Sequence, residues 1–282
     1  MKNKTIAGLA LFLTIVALLV FVYISFLGAE YLFEGNHLLV VPMMLVGGAL
    51  LVWCIRVMCR SKASRDKRNG LPKEVAAILG AVFILLVGGI AFTQFLFVYD
   101  HQKELRDTVL ATAEDVSKID SIYKDYAQKR IDAYGQKLKK GKDTKNLTKQ
   151  ERSMMTNSLK RRLIPSEYDT ICAERKQWLA AVNDASVWNI STPRNLHYIV
   201  TAGQDWTEQY RQVSSVIYKN EDVEPFGDGD TAFNPSEASL QFSTPHMPNM
   251  RSLVAIAVCC FFILTIYFHI KRPKNWYDNN HR

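Results

Sequence analysis

The chain has 282 residues, with 35 Lys and Arg against 27 Asp and Glu and a formal charge of +8. Hydrophobic residues make up 48% of it, yet its mean hydropathy is only −0.05, so strongly apolar blocks are averaged with polar stretches. This excludes a single soluble domain. It also argues against nucleic acid, because the surplus positive charge sits in short segments beside apolar blocks, where it meets anionic lipid.

The first apolar block, about 6–27, follows Lys2 and Lys4. It is longer than the roughly 7–15 apolar residues of a secretory signal, and a second block follows, so it reads as a retained anchor. The second block, about 38–57, contains Pro42 near one end, and the third covers about 75–98. Each is near the roughly 20 residues that cross a bilayer core. Small residues let helix backbones approach in a membrane, which makes Gly47, Gly48, Ala77, Ala81, Gly88 and Gly89 candidate transmembrane packing positions. No ionisable residue lies near the middle of any block, which argues against ion conduction and proton relay.

Charge sets the expected orientation. Arg56, Arg60, Lys62, Arg65, Lys67, Arg68 and Lys73 crowd the loop after the second block, and Lys271, Arg272 and Lys274 follow the fourth. The loop after the first block holds Glu30 and Glu34 instead. By the positive-inside rule both termini are cytoplasmic and the large polar segment is outside.

Beyond the third block the apolar residues change period without an intervening Pro or Gly. Leu105, Val109, Ala113, Val116, Ile119, Tyr123, Tyr126, Ile131, Tyr134 and Leu138 recur mostly at three- or four-residue steps, the stripe of an amphipathic helix. This predicts one unbroken helix, membrane-spanning first and a stalk afterwards. Thr148-Lys-Gln-Glu151 is a capping box that opens a helix to about Leu163, where Pro165 ends it. Another helix starts at Ser166 with the face Tyr168, Ile171, Trp178, Leu179 and Val182. Thr192-Pro193 reads as a cap followed by Pro at the first helical position, opening a helix with Leu196, Ile199, Gly203, Trp206, Tyr210, Val213 and Ile217 on one face. Residues 220–250 are acidic, rich in Pro and Gly and without helical period, apart from a short strand expected near Leu240–Phe242.

The expected fold is an all-α integral membrane protein. Four transmembrane helices carry a large helical extracytoplasmic domain between the third and fourth, and the third helix continues into a long stalk helix. Residues 1–98 form three transmembrane helices, 99–219 the helical periplasmic stalk domain, 220–250 the acidic return loop, and 251–282 the fourth transmembrane helix with its basic tail.

No catalytic, cofactor-binding or metal-ligating set emerges. Cys172 and His197 are read as ordinary helix residues, and the acidic residues near Gly227 and Gly229 do not have calcium-loop spacing. Cys172 is alone outside the expected spans, so no disulfide framework is indicated, which favours a bacterial inner membrane with a periplasmic domain. Two charged patches of opposite sign are candidate partner contacts: Lys139, Lys140, Lys142, Lys145, Lys149 and Arg152, and Asp222, Glu224, Asp228 and Asp230. The expected role is a non-enzymatic scaffold subunit of an envelope-spanning secretion or surface-assembly complex. Its partners would be anionic lipid, other envelope proteins and a further copy of itself. The alternative is a sensor relaying a periplasmic signal through the stalk to a cytoplasmic partner.

Overall fold

A computed structural model describes residues 2–64, 67–140, 147–182, 185–215, 224–231 and 241–271. Among them the chain is helical with no strand. In chain order the helices are α1 (Lys2–Leu32), α2 (His37–Ala63), α3 (Lys67–Asp100), α4 (Gln102–Lys140), α5 (Lys149–Leu163), α6 (Tyr168–Val182), α7 (Ser191–Ser214), α8 (Met250–Ile263) and α9 (Thr265–His269). The chain divides into two compact units. One comprises Met1–Gln102, Val187–Arg194 and Phe242–Arg282; the other comprises Lys103–Ser186 and Asn195–Gln241.

The first unit contains three helices long and apolar enough to cross a membrane, Ile6–Leu32, His37–Ala63 and Gly70–Asp100. Helices α1 and α3 run parallel and touch backbone to backbone. A Cβ at Gly28 would lie 1.7 Å from the Ala91 carbonyl oxygen, so only glycine fits there. The same seam holds Phe21 stacked on Phe92 at 5.6 Å and the Ser25 hydroxyl donating to the Gly88 carbonyl at 3.1 Å. Helix α2 runs antiparallel along α3, where Ala77 and Ala81 are buried with Leu51, Cys54 and Met58.

The fourth apolar block is divided. Helix α8 is capped by the Asn249 side chain, which accepts from the Ser252 N–H, and it ends at Ile263, with α9 following after Leu264. The Thr14 hydroxyl of α1 faces this break, donating to the Phe262 carbonyl at 3.3 Å and accepting from the Ile266 N–H at 3.2 Å. A helix break in an apolar region persists only where such a group meets the freed backbone polar atoms.

The expected uninterrupted helix through residues 97–105 is corrected at one residue. Helix α3 stops at Asp100 and α4 starts at Gln102, with His101 as a turn between them. The His101 ring nitrogen sits 2.8 Å from the Phe97 carbonyl, the same oxygen that takes the His101 backbone N–H at 3.1 Å. A side chain competing for a helical carbonyl weakens the ladder locally.

In the second unit α4 is the longest element, 39 residues or about 58 Å. Its predicted stripe is buried at every position except Tyr126, which is partly exposed while its neighbour Ala127 is buried. Each Val, Leu or Ile so buried contributes about 1.5–3 kcal/mol. Helix α5 folds back antiparallel on α4, bringing Thr156 beside Gly135, and the Tyr123 hydroxyl donates to the Leu163 carbonyl at 3.0 Å.

The capping box at the start of α5 forms as read, with the Thr148 Oγ1 accepting the Glu151 N–H and Glu151 Oε2 accepting the Thr148 N–H. Helix α7 begins at Ser191, before the expected Thr192 cap. The Asn189 side chain takes the Ser191 N–H at 3.0 Å, and Pro193 falls within the first turn, where no N–H is needed. Residues 241–243 are helical where a strand was expected; a strand needs a neighbour for its backbone groups, and none is present among the described residues.

Candidate functional site

The polar centre of the second unit is Asp120, buried on the inner face of α4. Its Oδ1 accepts from Arg175 Nη1 of α6 at 2.7 Å and from the Tyr210 hydroxyl of α7 at 2.6 Å. Arg175 also donates to the Tyr210 oxygen and to Gln209 Oε1, each at 2.8 Å, and its guanidinium lies 4.4 Å from the Trp206 ring centre. The Tyr168 hydroxyl donates to the Asp120 backbone carbonyl. Three helices are thus tied through one carboxylate.

This network escapes the hydrophobic pattern because polar residues occupy core positions. The buried face of α6 runs through Tyr168 and Leu179, with Cys172 and Arg175 between them at helical spacing, while the expected Ile171 is exposed. On α7 the buried face likewise passes through Thr207, Tyr210 and Ser214, and the expected Val213 is exposed. An Arg on an apolar face becomes legible only once its carboxylate partner on another helix is known. The buried Arg130 of α4 donates to the Ser214 carbonyl by the same logic, meeting an end carbonyl of α7.

The electrostatics of this centre favour clasping. Burial, reinforced by the nearby Asp120 charge, pushes the Cys172 thiol above its ordinary range. Burial likewise raises Tyr123, Tyr168 and Tyr210 well above the usual phenol range. Protonated phenols serve as hydrogen-bond donors, and a thiol held protonated is a poor nucleophile. No group of three or more His, Cys, Asp or Glu side chains that could hold a metal occurs among the described residues.

Part of the return loop is held on this centre. Phe226 is fully buried, edge-on to Tyr123 at 5.4 Å and Tyr126 at 5.5 Å, and its N–H donates to the Ser214 hydroxyl at 2.9 Å. The Tyr126 hydroxyl donates to the Glu224 carbonyl at 2.7 Å, leaving the Glu224 residue exposed at the surface. Asp230 accepts the Gly227 N–H at 2.9 Å and so closes its own turn. Asp228 is placed in a short 3-10 turn, and Asp222 lies outside the described residues.

The basic candidates lie at the far end of the α4–α5 hairpin, beyond the point where α7 ends beside Arg130. Lys137, Lys139, Lys140, Lys149, Lys160, Arg161 and Arg162 are exposed, and none makes an ion pair among the described residues. Arg152 is half-buried, and Lys142 and Lys145 lie outside the described residues. Elsewhere in the same unit Lys118 is paired with Glu114, Lys124 with Asp169, Lys129 with Asp125 and Arg211 with Glu208, while Lys103, Arg106 and Lys176 make no ion pair among the described residues. Of the two acids within this stretch, Asp143 lies outside the described residues, and Glu151 is committed to the helix cap, its carboxyl held below the usual range by the Thr148 hydrogen bonds.

Among the small residues of the membrane unit, Ala77 and Ala81 are in the core, a Cβ at Gly88 would press on the Phe21 ring at 2.9 Å, and Gly89 faces Ile256. Gly47 has no neighbour within 4 Å of a Cβ position and Gly48 meets only Val22; both line an apolar cavity of about 230 Å³ between α1, α2 and α3. Four positions from Gly28, at the closest helix approach, stand Ile24 and Leu32, neither of them small, which is why spacing alone does not reveal it.

Two buried carboxylates lie near the span ends. Glu74 accepts from the Tyr267 hydroxyl at 2.5 Å, and Glu30 lies 2.8 Å from the His37 ring. The chain matches no family model, no curated protein and no solved structure.

Proposed function

We propose that the chain is a non-enzymatic structural subunit of a bacterial inner-membrane, envelope-spanning complex of the secretion or surface-assembly kind. Four transmembrane helices anchor it with both termini cytoplasmic, and its periplasmic helical domain docks partner subunits. The observation carrying this reading is a cluster of seven exposed cations at the end of the α4–α5 hairpin, none with an ion pair among the described residues, whereas Lys118, Lys124 and Lys129 in the middle of α4 are each paired with a carboxylate. Like charges gathered without counter-ions cost stability, and an acidic partner surface offsets that cost.

The test is purification of the full chain from native membranes in mild detergent, beside the variant Lys139→Glu/Lys140→Glu/Lys149→Glu. Partner proteins should accompany the parent and be lost with the variant, whose melting temperature stays unchanged. A parent that emerges as a lone monomer sinks the reading.

The sensor alternative draws on a different feature. Only His101 separates the third apolar helix from α4, so a shift in one has a short covalent route to the other. A small ligand that raises the melting temperature of the full chain would favour it.

A further inference from the structure

We propose that residues 187–190, which lie between two helices of the chain's large polar segment, re-enter the lipid and anchor in the interfacial layer of the outer leaflet. The inference rests on the reading of α1–α3 as membrane spans. Trp188 packs against the side of α3, with its ring centre 5.1 Å from that of Phe95, tilted, and 5.9 Å from that of Tyr99, edge-on. Both partners belong to the last two turns of the apolar helix Gly70–Asp100, so the indole lies alongside the span itself.

Against this wall the indole keeps 51% of its surface exposed, and Ile190 is exposed beside it while Val187 is buried. The turn is rigid, since Asn189 bonds the Ser191 N–H and its carbonyl takes the Thr192 N–H. Backbone geometry therefore fixes which side chains face outward.

The same end of the unit carries more exposed apolar side chains from separate segments: Phe33 after α1, Leu38 at the start of α2, and Met247 and Met250 at the start of α8. In water such a group would be an unexplained cost. It is continuous with the lipid-facing sides of the spans, which identifies lipid as what covers it. Trp in particular favours the headgroup layer, where its ring is in apolar surroundings and its N–H stays near water.

The full chain reconstituted in phosphatidylcholine–phosphatidylglycerol vesicles tests this. Emission belonging to Trp188 is obtained by subtracting the spectrum of Trp188→Phe from that of the parent. In vesicles whose acyl chains are brominated close to the headgroup it should lose most of its intensity, and aqueous iodide should leave it largely intact. Iodide quenching without bromine quenching overturns the proposal, as does protection from both, which would mean a protein covers the turn.

Trp53 of α2, measured by the same subtraction with Trp53→Phe, reports insertion of the spans separately. If Trp53 is not quenched by brominated lipid either, the membrane reading itself has failed. Should Trp188→Phe not reconstitute, Ile190→Trp serves instead, and its added emission must show the same lipid quenching.

Discussion

Asp120 and Arg175 are two charges removed from water inside a helical unit, each satisfied by aromatic hydroxyls, an amide and the other's charge. Such a pair is costly to desolvate, and its net contribution to stability is small compared with what is lost when one partner is left alone. Asp120→Asn, or Arg175→Met, is expected to destabilise the chain by about 3–5 kcal/mol, because each strands a buried polar group. The double variant should lose clearly less than the sum, and denaturant unfolding of the four members of the cycle measures the difference. Additive losses would show that the pair is not coupled. At the same scale, Gly35 sits at φ +75° with the Arg194 backbone about 2.5 Å from where a Cβ would be, so the turn between α1 and α2 depends on a residue without a side chain.

Among elements, α4, α6 and α7 are joined by phenols and a thiol that remain protonated. The sign of the pH dependence follows from the raised folded-state values. Tyr123, Tyr168, Tyr210 and Cys172 favour the fold fully below the unfolded values of 10.0 and 9.0, and that contribution is lost progressively as the pH rises above them. The melting temperature of the full chain should therefore fall steeply above about pH 10. Tyr210→Phe should flatten that fall while lowering stability at neutral pH, since Asp120 loses a donor. A melting temperature level through the alkaline range would contradict the network. Helix α5 is held at its start by the capping box and by the buried Leu159 and Leu163, and only at its last turn by one of these titrating groups, the Tyr123 hydroxyl on the Leu163 carbonyl.

For the whole molecule, the chain order of apolar helices and basic loops makes a topological prediction. A cysteine introduced at Ser153, on the exposed side of α5, should react with a membrane-impermeant maleimide in intact spheroplasts. One introduced at Lys271 should react only after permeabilisation. The background is a variant with its native cysteines replaced by Ser or Ala. Labelling with the reverse pattern would invert the orientation and remove the periplasmic reading with it.

Local rules were enough for much of this chain. Apolar blocks of bilayer length mark three of the long helices, a Thr-x-x-Glu box starts α5, Pro165 ends it, and a three- or four-residue rhythm marks the inner face of α4. These are decided by neighbours in sequence, through hydrogen bonds one turn away and side chains on one helical face. What only the tertiary structure decided are the places where distant groups meet. Asp120 with Arg175, Phe226 on the Tyr123–Tyr126 face, Gly28 under the Ala91 carbonyl and Trp188 against α3 each pair residues tens of positions apart. A polar residue on an apolar face, or a glycine without a spacing motif, has no local signature, because its cost is offset by a partner the surrounding sequence does not contain.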